Sequence, residues 1–408
     1  MRRTTAILCL LVAQAALGVE IVAPFEVLHD ADVAVRVTGL EPGAAVDVQS
    51  DFVTHGGTIW RSVSTLTADQ SGAADVPKSF LWSMEKTKET PSTTATLENE
   101  DRSIVTVTVL QQGKKLAEKR ITLWKRAPGV LTAEIREPGV VGTFYAPYGK
   151  RALPGVIILG GSEGGISREP AALFASHGYA ALAVAYFGIA PLPEDLDRIP
   201  IETIDRAVAW LRAQPAVDPK RIAIWGGSKG AEFALLAASR NPAIRAVVAV
   251  APSSVVYQSI TGGKQESSSW TAGRKELPYA RYVSTEEFKK SKRLIDLYVP
   301  TLAAAPAEAA IPVETIKGPI LLLDGKEDAL WPSAAMAAQI EARAKRLGFR
   351  YAVINRSFDA AGHHVGRPPN RPTADSVRLG GTAEGIAAAQ RESWRAMIEF
   401  LNQSLGPR

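Results

Sequence analysis

The chain has 408 residues, 46% of them hydrophobic and 22% charged, with a formal net charge of +5. That length predicts two or three domains, and the composition excludes disordered and collagen-like classes. No long Lys/Arg block or aromatic–basic interleaving accompanies the charge, so no nucleic-acid partner is expected, and the charge bears mainly on solubility and weak steering of anions.

The opening stretch, "MRRTTAILCLLVAQAALGVE", has the grammar of a secretory signal over residues 1–18. Arg2 and Arg3 form a basic start, an apolar run centres on Leu8 to Val12, and Ala16-Leu17-Gly18 offers small residues for cleavage. The run is too short to serve comfortably as a permanent membrane anchor. The expectation is therefore an exported chain, periplasmic or secreted, with no integral membrane span; a buried N-terminal helix in a cytoplasmic protein is the alternative. Removing Arg2 and Arg3 lowers the charge from +5 to +3 and takes with it Cys9, the single cysteine. The mature chain then has no disulfide framework, no thiolate nucleophile and no Cys-ligated metal. The reading calls for no metal and no cofactor.

Residues 19–125 read as strands. "DVAVRVTGL" alternates Val33, Val35 and Val37 before the turn "EPGA", and "SIVTVTVLQQGKKLAEKRITLW" reads as two strands about Gly113. Short strands between turn signals, without helices, predict a β-sandwich. The Thr-rich segment "EKTKETPSTTATLENEDR" reads as a loop.

From residue 126 to 408 apolar runs of strand length alternate with helical patterns: "GVIILGG", "EPAALFASHG", "YAALAVAYFG", "IETIDRAVAWLRAQ", "RIAIWGG" and onward to "AAAQRESWRAMIEFLNQSL". Strands apolar throughout are buried on both faces, so this half is an α/β domain, a mostly parallel sheet flanked by helices. The stretch around 257–311 breaks the alternation and reads as a cap over the site.

Two serines sit in Gly-Gly-Ser-x-Gly: Ser162 in "GVIILGGSEGGI" and Ser228 in "RIAIWGGSKGAEFALLAAS". A nucleophile elbow requires a strand, a tight turn with small neighbours and a helix that starts directly after the serine. Ser228 meets all three requirements. Ser162 is followed by "EGGIS", where no helix starts, and Glu163 would set a carboxylate beside developing negative charge. The α/β-hydrolase order is serine, then acid, then histidine. Counted from Ser228, strand "AVVAVAP" precedes "ILLLDG", which ends in acids, and "YAVINR" precedes the histidines; counted from Ser162, the acids come two strands late. Ser228 is therefore the expected nucleophile. The Lys229 backbone N–H supplies one oxyanion donor, and the GGSEGG loop supplies the second, from Ser162 or else Glu163.

Of the five histidines, His29 and His55 fall in the sandwich and His177 at a helix end, which leaves His363 and His364 in "DAAGHHVGRPP". His363, directly after Gly362, is the preferred base. Among the acids of "LLLDGKEDALW", Asp328 is favoured over Asp324 by its place in the loop beyond Gly325; its task is to hold the tautomer of the base and stabilise the imidazolium.

The blocks "VTGLEPGAAVDVQS", "FLWSM", "GGSEGG…AALFASHGYAALAVAYF", "GGSKGAEFALLAAS", "DGKEDALWPS", "AGHHVGRPP" and "LGGTAEGIAAAQRESW" resemble, in order and over nearly the whole mature chain, the family of acyl-CoA thioesterases and bile acid-CoA:amino acid N-acyltransferases. The resemblance implies an Ig-like domain joined to an α/β-hydrolase, with Ser228, Asp328 and His363 as the triad. The amino-acid conjugating members are similar but carry cysteine as nucleophile, so Ser228 implies hydrolysis, with a small acyl thioester as substrate. An exported chain meets little CoA, which makes a carboxylesterase acting on oxygen esters the nearest rival. A non-catalytic Ig-like binding protein is a further rival, weakened by the complete triad. Lys264, Arg274, Lys275, Lys289, Lys290, Lys292 and Arg293 in the cap either meet phosphates or, as such residues more often do, form a solvated face.

Overall fold

A computed structural model describes residues 18–54, 57–89, 99–263 and 265–406. The expected signal segment up to Leu17, His55 and Lys264 lie outside the described residues. No helix among the described residues is long and apolar enough to cross a membrane.

The N-terminal half packs a six-stranded sheet against a three-stranded one. In its long strands Ala45–Val53 and Arg102–Gln111, buried positions alternate with partly exposed ones over much of the length, as befits strands with one face on a core and one on solvent. Val33, Val35 and Val37 are all buried, although only Arg36–Thr38 is hydrogen-bonded as strand. The expected turn between Arg102–Gln111 and Lys114–Trp124 is a two-residue one, with positive φ at both Gln112 (50°) and Gly113 (77°), the geometry that matches strand twist.

After Trp124 the strands change character. Eight of them form one sheet in the order Val130–Glu137, Val140–Pro147, Ala180–Ala185, Leu153–Leu159, Val217–Gly227, Ile244–Val250, Ile320–Gly325 and Val353–Phe358. Val140–Pro147 is antiparallel to both its neighbours; the pairs from Ala180–Ala185 onward are parallel. Leu153–Leu159, Ala180–Ala185 and Ile320–Gly325 are buried at every residue, the signature of strands covered on both sides. Helices Glu202–Arg212, Lys229–Ala238 and Ser333–Arg346 close one face, and Arg168–Ser176 and Ala383–Leu405 close the other. The edge strand Val353–Phe358 carries Asn355, Arg356 and Ser357, polar residues of the kind that keep a sheet edge from recruiting another strand.

Between Ile244–Val250 and Ile320–Gly325 the chain leaves the sheet to build the cap. It contributes helices Glu286–Ser291 and Ile295–Ala303, and the short strand Trp270–Ala272, which pairs with Ile199–Pro200. Its core is aromatic, with Tyr257, Tyr298 and Trp331 in mutual contact.

The two halves meet along the segment beyond the histidine pair. The Asn370 side chain donates to His29 O (2.8 Å) and Ala31 O (2.7 Å), and Thr373 N–H donates to Trp82 O (3.2 Å). His177, placed by sequence at a helix end, does cap Arg168–Ser176, and its Nε2 lies 2.7 Å from Asp30 Oδ2 across the junction. Since each net hydrogen bond contributes about 1 kcal/mol, Asn370→Ala is expected to lower stability by about 1–3 kcal/mol, read as a shift in urea midpoint with unchanged slope.

Candidate active site

The strand Val217–Gly227 runs directly into the helix Lys229–Ala238, and Ser228 is the single residue between them, at φ 56° and ψ −123°. That left-handed φ is costly for a residue with a Cβ. It is held because Ser228 N–H donates to Val250 O (2.8 Å) while its carbonyl accepts from Ala231 N–H and Glu232 N–H. Two glycines permit the bend by close approach: a Cβ on Gly226 would stand 2.1 Å from Gly230 O, and one on Gly230 would stand 2.2 Å from Gly160 O. Lys229 N–H is in the first turn of the helix and so has no intrahelical acceptor.

Ser162 has a different setting. Gly164 (φ 69°) and Gly165 (φ 71°) keep the chain irregular, and the next helix starts only at Arg168. The loop crosses over Ser228: the Cβ position of Gly161 is 3.2 Å from Ser228 Cβ. The Tyr186 hydroxyl donates to Gly160 O (2.6 Å), and the Glu163 carboxylate accepts the Gly161 N–H (3.0 Å). Gly161 N–H is thus engaged within the loop.

The histidine loop and the acid loop are pressed together. A Cβ on Gly325 would meet Ala361 O at 2.3 Å and Gly362 O at 2.4 Å, so only glycine allows this contact. His363 N–H and Ala329 N–H both donate to Leu379 O (3.1 Å each). In that frame His363 Nδ1 lies 2.8 Å from Asp328 Oδ2. A carboxylate only accepts, so Nδ1 carries the proton and Nε2 is left with its lone pair. Asp328 is fixed in turn by Leu330 N–H (2.9 Å), Trp331 N–H (3.3 Å) and the Ser333 hydroxyl (2.7 Å). Asp324 lies on the strand instead, bonded to Ser357 (3.0 Å); burial raises its pKa to about 6. His364 Nδ1 lies 3.1 Å from Ser376 Oγ, and burial, followed by the nearby Arg367 charge, lowers its pKa to about 3. It remains neutral at ordinary pH.

Ser228 and His363 line one cavity of ≈ 660 Å³, together with Ser162, Glu163, His364, Arg168, Arg367, Arg371 and Arg378. A second cavity of ≈ 310 Å³ on the cap side shares Ser162, Ser228 and Leu330 with it, and adds Lys229, Ile260, Leu294, Leu297, Tyr298 and Trp331. Among the described residues Ser228 Oγ has no protein hydrogen-bond partner.

Sequence reasoning missed the side chain of Lys229. It is fully buried, with Nζ 2.7 Å from both oxygens of Glu232, and Glu232 also accepts from Trp270 Nε1 (2.6 Å) and Tyr257 N–H (3.1 Å) of the cap. Burial lowers the pKa of Lys229 and raises that of Glu232, while the two cap donors favour the carboxylate. The signal was present: Lys229 and Glu232 are the charged pair in a helix otherwise apolar, at i,i+3 spacing. For the cap cations the sequence offers either a solvated face or a phosphate site. Lys289 pairs with Glu286 and Arg293 with Asp296, both exposed at the cation, and Arg274 and Lys275 are exposed as well, none of the four lining either cavity.

Residues 199–407 match the family model "BAAT / Acyl-CoA thioester hydrolase C terminal", and residues 30–137 match "Acyl-CoA thioester hydrolase/BAAT N-terminal region". The chain is 27% identical to acyl-coenzyme A amino acid N-acyltransferase 1 of Mus musculus, covering 94% of this chain and 97% of the relative. It is likewise 27% identical to acyl-coenzyme A thioesterase 5 of the same organism, over 92% and 94%. Peroxisomal succinyl-coenzyme A thioesterase, again from Mus musculus, is 24% identical over 92% and 94%. Among solved structures, an esterase of Pyrobaculum calidifontis aligns with a TM-score of 0.43 and 17% identity, over 67% of this chain and 85% of its own.

Removing one member of a buried ion pair strands the other charge, at about 3–5 kcal/mol, whereas replacing both with apolar groups is often neutral. Glu232→Leu alone is therefore expected to destabilise by that amount, and Lys229→Met/Glu232→Leu to recover most of it. Equilibrium urea unfolding of both variants checks this; equal losses in the two would refute the pairing account.

Proposed function

The chain belongs to the BAAT / acyl-CoA thioester hydrolase family, and on that premise we propose that it is a hydrolase of acyl thioesters working through an acyl-enzyme on Ser228. One observation carries the proposal: Ser228 stands at a strained strand–helix bend, and shares a cavity with His363, whose Nδ1 is bonded to Asp328.

The atoms available define the chemistry. Ser228 Oγ attacks the acyl carbonyl carbon while His363 Nε2 takes its proton; the imidazolium is stabilised by Asp328. The oxyanion receives the Lys229 N–H and an N–H of the loop around Ser162 and Glu163. Collapse breaks the C–S bond, and His363 returns the proton to the departing thiolate. Water, deprotonated by the same imidazole, then attacks the acyl-serine, releasing the acid and restoring Ser228. An acyl-serine is an oxygen ester, less reactive toward amines than a thioester, which favours hydrolysis over amine transfer. For residues 1–18, the pattern of a basic start, an apolar run and small residues supports export; N-terminal sequencing of native protein should begin near Val19, and a start at Met1 would overturn that reading.

Ser228→Ala and His363→Ala are each expected to lower kcat by about 10⁴-fold or more, and Asp328→Asn by about 10³–10⁴-fold. A fluorophosphonate probe should label the wild type and not Ser228→Ala. Unchanged labelling of that variant would overturn the nucleophile assignment. A kcat/KM that favours p-nitrophenyl esters over acyl-CoA throughout would replace the thioesterase reading by the carboxylesterase one.

A further inference from the structure

The two cavities that meet at Ser228 differ in the charged groups that line them. The cap side presents Ile260, Leu294, Leu297, Tyr298 and Trp331. The other side presents four arginines, Arg168, Arg367, Arg371 and Arg378, against two carboxylates, Glu163 and Glu169. Most of these charges are already matched. Arg168 pairs with Glu134 at 3.2 Å, Arg371 pairs with Glu169 and donates to Pro368 O (2.7 Å), and Glu163 accepts the Gly161 N–H. Arg367 and Arg378 have no hydrogen bond or ion pair among the described residues. Both are solvent-exposed at the cavity, and Arg367 lies close enough to Arg371, Arg378, Glu163 and Glu169 to feel the charge of each, so its guanidinium is open to an incoming anion.

Resting on the hydrolase reading above, we infer that Arg367 and Arg378 form an anion subsite opposite the apolar cap cavity, and that the preferred substrate bears a phosphate or carboxylate on the arm entering it. Guanidinium groups suit either anion by bidentate hydrogen bonding. A phosphate would belong to the leaving thiol and a carboxylate to the acyl group, with the remaining arm of the substrate in the cap cavity.

The test measures binding rather than turnover, so that its failure is separate from failure of the hydrolase reading. In a Ser228→Ala background, isothermal titration compares octanoyl-CoA (phosphates on the thiol), succinyl-pantetheine (carboxylate on the acyl group) and octanoyl-pantetheine (neutral). Adding Arg367→Gln and Arg378→Gln is expected to weaken one of the anionic thioesters about tenfold or more relative to the neutral one. Loss confined to octanoyl-CoA identifies the leaving group as the anionic arm, and loss confined to succinyl-pantetheine identifies the acyl group. Arg367→Lys/Arg378→Lys, which keeps the charge without the fork, should fall between, and serves if the Gln variant does not fold. Ratios for both anionic thioesters that stay within about twofold of the parent in the Gln pair, or in the Lys pair where that one serves, would overturn the inference.

Discussion

The site is organised around one backbone constraint, a serine with a Cβ held at φ 56° between a buried strand and a buried helix. Such a conformation costs on the order of 1–3 kcal/mol and persists only where surrounding structure over-determines it. Here the determinants are visible. Neighbouring strand Ile244–Val250 takes the Ser228 N–H, the helix behind takes its carbonyl, and Gly226 and Gly230 let backbone touch backbone. The same bend that strains Ser228 lifts its side chain to the carboxyl ends of the parallel strands, where an open α/β sheet leaves room for a ligand. It also leaves the Lys229 N–H in the first helical turn with no partner of its own. The strained Ser228 and the unpaired Lys229 N–H are therefore consequences of a single turn.

The first turn of the helix ties this bend to the cap. Lys229 and Glu232 are buried one turn apart, and Glu232 reaches Trp270 and Tyr257, whose segment covers the apolar cavity. A buried ion pair is poor evidence for stability, because desolvation offsets much of the attraction. Its effect here is geometric: the residue directly after Ser228 and the cap residues beside the apolar cavity share one carboxylate. Displacement of the cap would break hydrogen bonds to a group that has no water to replace them.

Legibility in the sequence divides along the range of the interactions. The fully apolar strands, the Gln112-Gly113 turn and the Ser228 bend are legible in local pattern. The role of Lys229 was hidden, because its partners Tyr257 and Trp270 lie in a cap with no helical or strand period to read. Arg367, Arg371 and Arg378, after His364, were equally opaque: with Arg168 they line the cavity, and which of the four remain unneutralised is decided by Glu134 and Glu169, each remote in sequence from its partner. The cap cations follow the more usual of the two courses the sequence offers: Lys289 and Arg293 find local acids, and the pairs stay in solvent.

The N-terminal sandwich acquires a mechanical meaning from the same segment. His363 precedes a proline-rich stretch that cannot hold itself by helix or ladder; Asn370 and Thr373 anchor it to the carbonyls of His29, Ala31 and Trp82 instead. His29 is buried beside the Arg371–Glu169 pair, and burial, with the Arg371 charge next, lowers its pKa to about 4. A neutral imidazole leaves that pair undisturbed. Protonation below pH 6.5 would be opposed by the fold until the pH approaches 4, so the contribution of His29 to stability is present above 6.5 and is lost as the medium acidifies through that window. The two sides of Ser228 are thus governed separately: the cap encloses the apolar side, and the sandwich anchors the arginine-bearing segment that follows His363.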